Sequence, residues 1–372
     1  MINMKIRVLF GVLMYGILIA GISSCSGKAS ENSSESLNEI PEITPVELTS
    51  FDHAGDVYFS HLGYSSVVLK NGNILIPERG NTTLVVVDTE GNLKNSIYEG
   101  RGPGEILDAY SFVQDDEGYL YVYDQGNAKI LILTPEAELA KEIIPSPFEN
   151  GNMSHIFPME NGNYMLEYST YGHLFNEEED REKVLVNFNP DSEQYEGKIA
   201  LKDVPYAPLV LDGKVSGGKR VDFADAQLAA YYSKNKSLLL FETGTQIIAE
   251  INSSYDTLNT ISVNLPREKL LKEEIDKIEK EVNYREQWNS LQPLLPEYKA
   301  VASKMMFHED EIWLKSNMRG EHQKWIVLNM EGQIIKIVNL PKESILMHIS
   351  KEHLGVRLDD VTFALFEPVD LN

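Results

Sequence analysis

Residues with chemical potential are sparse in this chain, so those that stand in a pattern carry weight. Gly100-Arg101-Gly102-Pro103-Gly104-Glu105 places one cation and one carboxylate around a turn of a kind that glycine and proline favour. Arg101 and Glu105 are therefore the candidate ligand-binding residues, with an anionic or carbohydrate ligand as their target. The competing reading is structural: a tight turn in which Arg101 pairs with Glu105 or caps nearby carbonyls. Asp115-Asp116-Glu117, the run from Glu177 to Asp180, and Asp359-Asp360 offer oxygens to Ca2+. None has the spaced Asp/Asn pattern of a calcium loop, so solvated turns are the simpler reading. No metal site and no cofactor is expected, with Ca2+ the one ion left open. His308-Glu309-Asp310-Glu311 lacks the second histidine of a zinc pair, and the other histidines are scattered. There is no Gly-x-Ser-x-Gly elbow, Walker loop or dinucleotide fingerprint. Catalytic residues stay unknown.

One thiol stands apart. Cys25 is the single cysteine of 372 residues. It follows Lys5 and Arg7, an apolar run from Val8 to Ile22, and Ile22-Ser23-Ser24, an arrangement that resembles the lipobox of bacterial lipoproteins. The run is short for a bilayer span of ~20 residues. The expected chemistry is transfer of diacylglycerol to the Cys25 sulfur, cleavage before it, and N-acylation such as palmitate. Two alternatives stay open, an ordinary cysteine after a secretory cleavage site and an uncleaved anchor. With one cysteine, no internal disulfide forms, and core burial must hold the fold.

The elements that would position any site recur along the chain. Ser66 to Leu69, Ile74 to Ile76, Leu84 to Val87 and Leu93 to Tyr98 read as four strands joined by Asn-Gly and Asp-Thr-Glu-Gly turns. The unit repeats from Phe112 to Ile144, and four looser copies centre on turns near residues 162, 235, 310 and 352. With the first two turns near 72 and 117, successive steps are 45, 45, 73, 75 and 42 residues. A base period of ~40–50 residues with four strands per unit is the signature of a β-propeller. Six blades are expected, with seven as the alternative count. The last unit lacks an outer strand, and the segment from Val46 to Phe59 is placed to supply it and close the ring.

The two long steps require insertions. Phe175 to Asp180 reads as a charged hairpin tip. Val204 to Phe223, with Pro205, Pro208, Gly213, Gly217 and Gly218, reads as a long loop. Residues 266–292 read as a helical insertion, because Leu271, Ile275, Ile278 and Val282 fall on one helical face. Glu273/Lys277 and Asp276/Lys280 are spaced as supporting ion pairs. The helix is expected on the propeller surface, with a lid or a partner-binding role as alternatives. The organisation expected is a signal peptide over 1–24, a flexible tether over 25–45 and an all-β propeller over 46–372.

A Gly-Arg-Gly-Pro-Gly-Glu segment at the first blade junction, behind a lipoprotein signal, resembles the six-bladed β-propeller lipoproteins of Bacteroidota and related phyla. Those are similar in turn to NHL-repeat propellers. The resemblance covers the chain from about residue 45 onward. It implies fold and a place in the cell envelope, lipid-anchored to the outer membrane. It implies no chemistry, and the long loop and helical insertion depart from the pattern. The net charge of -24 argues against nucleic acid as a partner. The expected function is a membrane-tethered, monomeric binding module for a peptide, glycan or envelope protein. The alternative is an NHL-like lyase or hydrolase that gathers residues and a metal from different blades around the channel.

Overall fold

Local alternation and turn chemistry decide the strands, and burial decides their rank within each blade. The computed structural model describes residues 37–80, 83–149, 151–170 and 181–369. Cys25, the signal segment and the run from Glu177 to Asp180 lie outside them. Six four-stranded antiparallel meanders are arranged as the blades of a propeller. Blade 1 runs through Val67–Val68, Ile74–Glu78, Thr83–Val87 and Leu93–Ile97, and blade 2 through Ala109–Gln114, Leu120–Asp124, Lys129–Leu133 and Leu139–Ile143. Blade 3 starts at Gly151–Pro158, blade 4 at Gln227–Tyr232, blade 5 at Ala302–His308 and blade 6 at Ile345–Ile349. All six fall where the sequence period places them.

Middle strands are packed between neighbouring blades, so both of their faces are covered. Every residue of Ile74–Glu78, Thr83–Val87 and Lys129–Leu133 is buried. That explains why these segments read as continuous apolar runs rather than alternating ones. Outer strands face solvent and are polar, as in Leu139–Ile143. The clusters between blades hold the ring. Phe241, Leu239 and Ile248 of blade 4 meet Ile312, Leu314 and Ile326 of blade 5. Each fully buried aliphatic side chain contributes about 1.5–3 kcal/mol.

Closure is made by the chain ends. Glu47–Phe51 pairs antiparallel with Phe363–Phe366 and becomes the outer strand of blade 6. Glu42–Ile43, inside the segment read as tether, adds a parallel strand to the outer edge of blade 5. This protects an edge that would otherwise be free.

The long loop expected over Val204 to Phe223 is instead a two-stranded hairpin, Tyr206–Leu211 with Lys214–Arg220. Gly213 at its tip has φ +71°, a conformation that glycine adopts without strain. The helical segment is two helices rather than one, α1 (Lys272–Glu281) and α2 (Arg285–Leu291). Leu271 caps α1 and is exposed, while Ile278 is buried as the face requires. Among the described residues the i, i+4 ion pairs Glu273/Lys277 and Asp276/Lys280 do not form. Among the described residues no helix is long and apolar enough to cross a membrane.

Candidate functional site

In an antiparallel meander, the turn between the second and third strands lies on the same face as the connection to the next blade. Backbone bonds tie the two together here. Arg79 N donates to His61 O at 2.8 Å, Gln125 N to Asp108 O at 2.8 Å, Thr243 N to Ala226 O at 3.0 Å and Asn317 N to Val301 O at 3.4 Å. Side chains at strand ends reinforce the tie. Glu78 accepts the Ser60 and His61 N–H groups, and Asp124 accepts those of Leu107 and Asp108. This face carries the Gly100–Glu105 turn, the hairpin and both helices.

The Gly100–Glu105 turn is closed on itself. Glu105 accepts the Gly102 N–H at 2.7 Å rather than meeting Arg101. A Cβ at Gly100 would collide with that carboxylate, and Gly104 sits at φ +76°, so both glycines are required. Gly104 N–H donates to Glu142 at 2.7 Å, and Lys129 joins Gly102 O at 3.0 Å to Glu142 at 2.8 Å. Burial pushes the Glu142 carboxyl up, but Lys129 and the Gly104 N–H outweigh it and hold it below its ordinary value. Arg101 is exposed and makes no bond among the described residues. The Arg101–Glu105 pair is not made, and neither residue lines the cavity described below.

The acidic turns are likewise self-satisfied. Asp115 accepts the N–H groups of Glu117 and Tyr119 and the Tyr121 hydroxyl. Asp359 accepts those of Val361 and Thr362, and Asp360 pairs with Arg357. Among the described residues no group of three or more His, Cys, Asp or Glu side chains is placed to hold a metal.

The concave feature of this face lies elsewhere. A cavity of about 950 Å³ opens where the hairpin and α1 meet the ends of blades 4 and 5. Its wall is a small cap with its own core of Ala207, Val221, Ile278, Trp288 and Leu291. Ion pairs pin the cap to the ring. Lys299, 2% exposed, lies 3.0 Å from Glu274 of α1 and 2.9 Å from Glu268. Arg319 from blade 5 reaches the same two acids at 3.1 and 3.4 Å. Arg267 holds both oxygens of Asp225 at 3.0 Å. Lys219 of the hairpin reaches Glu281 of α1 at 3.1 Å. Burial pushes the Glu274 carboxyl up, but the Leu271 N–H and Lys299 more than offset this and leave it below its ordinary value.

The inner lining comes from the ring. It includes Ala302, Ser303, Lys315, Ser316 and Asn317 of blade 5, Gln227 and Leu228 of blade 4 and Lys183 of blade 3. Lys183 belongs to a second cluster in blade 3. Glu167, 3% exposed, lies 2.9 Å from Lys183 and 3.0 Å from His155, with the Ser154 hydroxyl donating at 2.6 Å. Burial raises the Glu167 carboxyl, but Lys183 and His155 overcome this and hold it ionised. Ser154 and His155 both bond Glu167 rather than each other, so this is not the relay of a serine nucleophile. Sequence reasoning named Val204, Phe223, Glu273, Lys277 and Ile278 as parts of the insertions, but marked none of the cavity residues as a site. They are single residues from strand ends and insertions, and no local motif marks them.

Residues 60–207 match the model of a family described as a 6-bladed beta-propeller. No curated protein sequence matches the chain. Among solved structures, the chain is similar to an exported-type protein of Bacteroides fragilis NCTC 9343, with 14% identity over 92% of this chain and 98% of that one and a TM-score of 0.49. A member of the DUF4221 family from Bacteroides vulgatus ATCC 8482 aligns at 11% identity, over 87% of this chain and 94% of that one, with a TM-score of 0.48. A virginiamycin B lyase from Staphylococcus aureus aligns at 9% identity, over 82% and 80%, with a TM-score of 0.38. The family match carries the fold and no activity.

Proposed function

We propose that this protein is an extracytoplasmic binding module, lipid-anchored to the outer membrane through Cys25, that takes a peptide, glycan or envelope-protein segment into the capped cavity. One observation carries the reading. Two insertions from separate blade junctions pack on each other and enclose a cavity of about 950 Å³ on the face where blade-joining connections gather. A cavity of that size is in the range of ligand sites. The cap is held against the ring beneath it by the ion pairs of Lys299 and Arg319 with Glu268 and Glu274.

The test uses the full chain against arrays of peptides and glycans. Ser303 is exposed on the inner strand of blade 5 and lines the cavity. Ser303→Trp should abolish binding of the ligand found while leaving the thermal midpoint unchanged. Undiminished binding by that variant would remove the cavity from consideration. Chemical turnover of a bound compound would replace the binding reading with that of a propeller enzyme. The anchor is tested by mass spectrometry of the mature N-terminus, where an unmodified Cys25 thiol would overturn it.

A further inference from the structure

The fully buried lysines show how this chain treats an interior ammonium. Lys129 lies 2.8 Å from Glu142, Lys336 lies 2.8 Å from Glu311, and Lys299 has two carboxylates within 3.0 Å. Each charge taken from water has an opposite charge beside it, because an unpaired buried ion is costly.

Blade 5 departs from this rule. Lys304 on its inner strand and Lys315 on the adjacent strand are direct cross-strand partners, so both side chains leave the same face of the sheet. Both are partly buried. Neither has an ion pair among the described residues. Lys304 Nζ donates to two backbone carbonyls, Leu346 O at 3.0 Å and Tyr64 O at 3.5 Å. Lys315 Nζ has no hydrogen bond among the described residues. Like charges directly opposite in a sheet are destabilising, and among the described residues neither is closed into an ion pair, although Glu343 acts on Lys315 from a distance. Burial, with Lys315 behind it, pushes the Lys304 ammonium down to about 8. Burial pushes Lys315 down as well, partly offset by Glu343. Lys315 lines the cavity beside Ser303, Lys342 and Glu343, while Lys304, its cross-strand neighbour, is not part of the lining and gives its ammonium to the Leu346 and Tyr64 carbonyls. The setting is unusual for this molecule. The chain carries a net charge of -24, yet the cavity wall has seven cationic side chains against five carboxylates.

We propose that Lys304 and Lys315 form an oxyanion subsite where blade 5 meets the cavity, receiving a carboxylate, sulfate or phosphate group of the bound ligand. The subsite rests on the cavity being the binding site and adds the chemical class of what enters it. An oxyanion near the pair replaces a like-charge repulsion with two attractions. Lysine is a point charge with rotatable donors, so the pair accepts tetrahedral and planar oxyanions alike.

The experiment is competitive amine labelling of the full chain, read by mass spectrometry residue by residue. The probes are glucuronate, sulfate and phosphate, each against chloride at matched ionic strength. At least one probe should lower labelling of Lys304 and Lys315 severalfold while leaving exposed Lys70 and Lys141 unchanged. Whichever of the three protects identifies the group. Lys315→Met, which keeps the apolar stem, should weaken that protection of Lys304 more than tenfold, and Lys315→Arg should retain it. If Lys315→Met does not fold, wild-type labelling decides alone. Equal labelling in chloride and in all three oxyanions would overturn the subsite, as would full protection of Lys304 in a folded Lys315→Met. The two proposals fail separately, because labelling reads the anionic group and Ser303→Trp reads the whole ligand.

Discussion

The junction between blades 1 and 2 and the capped junctions around blade 4 sit on the same face and solve the same problem differently. The first joins two blades through residues 98–108. Its glycines, Glu105, Glu142 and Lys129 satisfy one another. The capped junctions spend a hairpin and two helices on the same connection and leave a cavity between cap and ring. The conspicuous motif thus belongs to the closed junction, and the open one has no motif. At the closed junction Arg101 is left without an internal bond among the described residues. A segment that bridges a gap cannot fill it, and the side chains around the gap keep unused capacity.

The comparison breaks most sharply at Trp288, which is 3% exposed in the cap core. Trp288→Ala should cost about 3–5 kcal/mol of local stability. The loss should appear as raised hydrogen exchange in α1, α2 and the hairpin, with the blade strands still protected. Equal loss of protection in blades 1 and 2 would show that cap and ring are one cooperative unit.

Acid separates the ring from both junctions. His348 is buried in blade 6, where its Nδ1 meets the Ser66 hydroxyl at 2.6 Å. Burial first, then His353 and His308, pushes its pKa from 6.5 down to about 3. The unfolded chain therefore takes up a proton below pH 6.5 that the folded chain refuses until about pH 3. Global stability should fall as pH drops through that window, by up to about 1.4 kcal/mol per pH unit. Glu142 and Glu274 have folded pKa values below 4.5, so their contributions persist above pH 4.5 and are lost only as pH falls through the lowered values. Denaturant midpoints from pH 7 to pH 5 should thus decline in wild type and stay flatter in a folded His348→Gln. An identical slope in both would assign the acid sensitivity elsewhere.

Smaller effects test the closed junction. Glu105→Ala removes the acceptor of the Gly102 N–H and should cost about 1 kcal/mol in urea unfolding. Arg101→Ala removes an exposed side chain without a described partner and should stay within about 0.5 kcal/mol. The same variant should leave ligand binding in the cavity unchanged. A large binding loss with Arg101→Ala would restore the turn as a ligand site and collapse the contrast.

The blades were legible because the signals are local. Strand runs such as Leu84 to Val87 and turns such as Asn71-Gly72 depend on side-chain size and backbone freedom within a few residues. The missing outer strand of the last unit even pointed to the N-terminal segment that fills it. The hairpin at Tyr206–Arg220 was missed because Pro208, Gly213, Gly217 and Gly218 interrupt the run, and it pairs with itself as a protruding ribbon. The turn at Gly100 was legible as a turn, but its use was not.

The chain alone determined the repeat, the six blades, the closure between its ends and the character of each strand, because each follows from periodicity and local propensity. Only the tertiary structure decided that Glu105 serves its own turn, that the hairpin and helices border a cavity, and that Lys304 and Lys315 stand opposite each other without an ion pair among the described residues. Those facts depend on distances between residues far apart in sequence. An unpaired charge in particular is defined by what does not come near it, which the packing of neighbouring blades decides and local residue order does not.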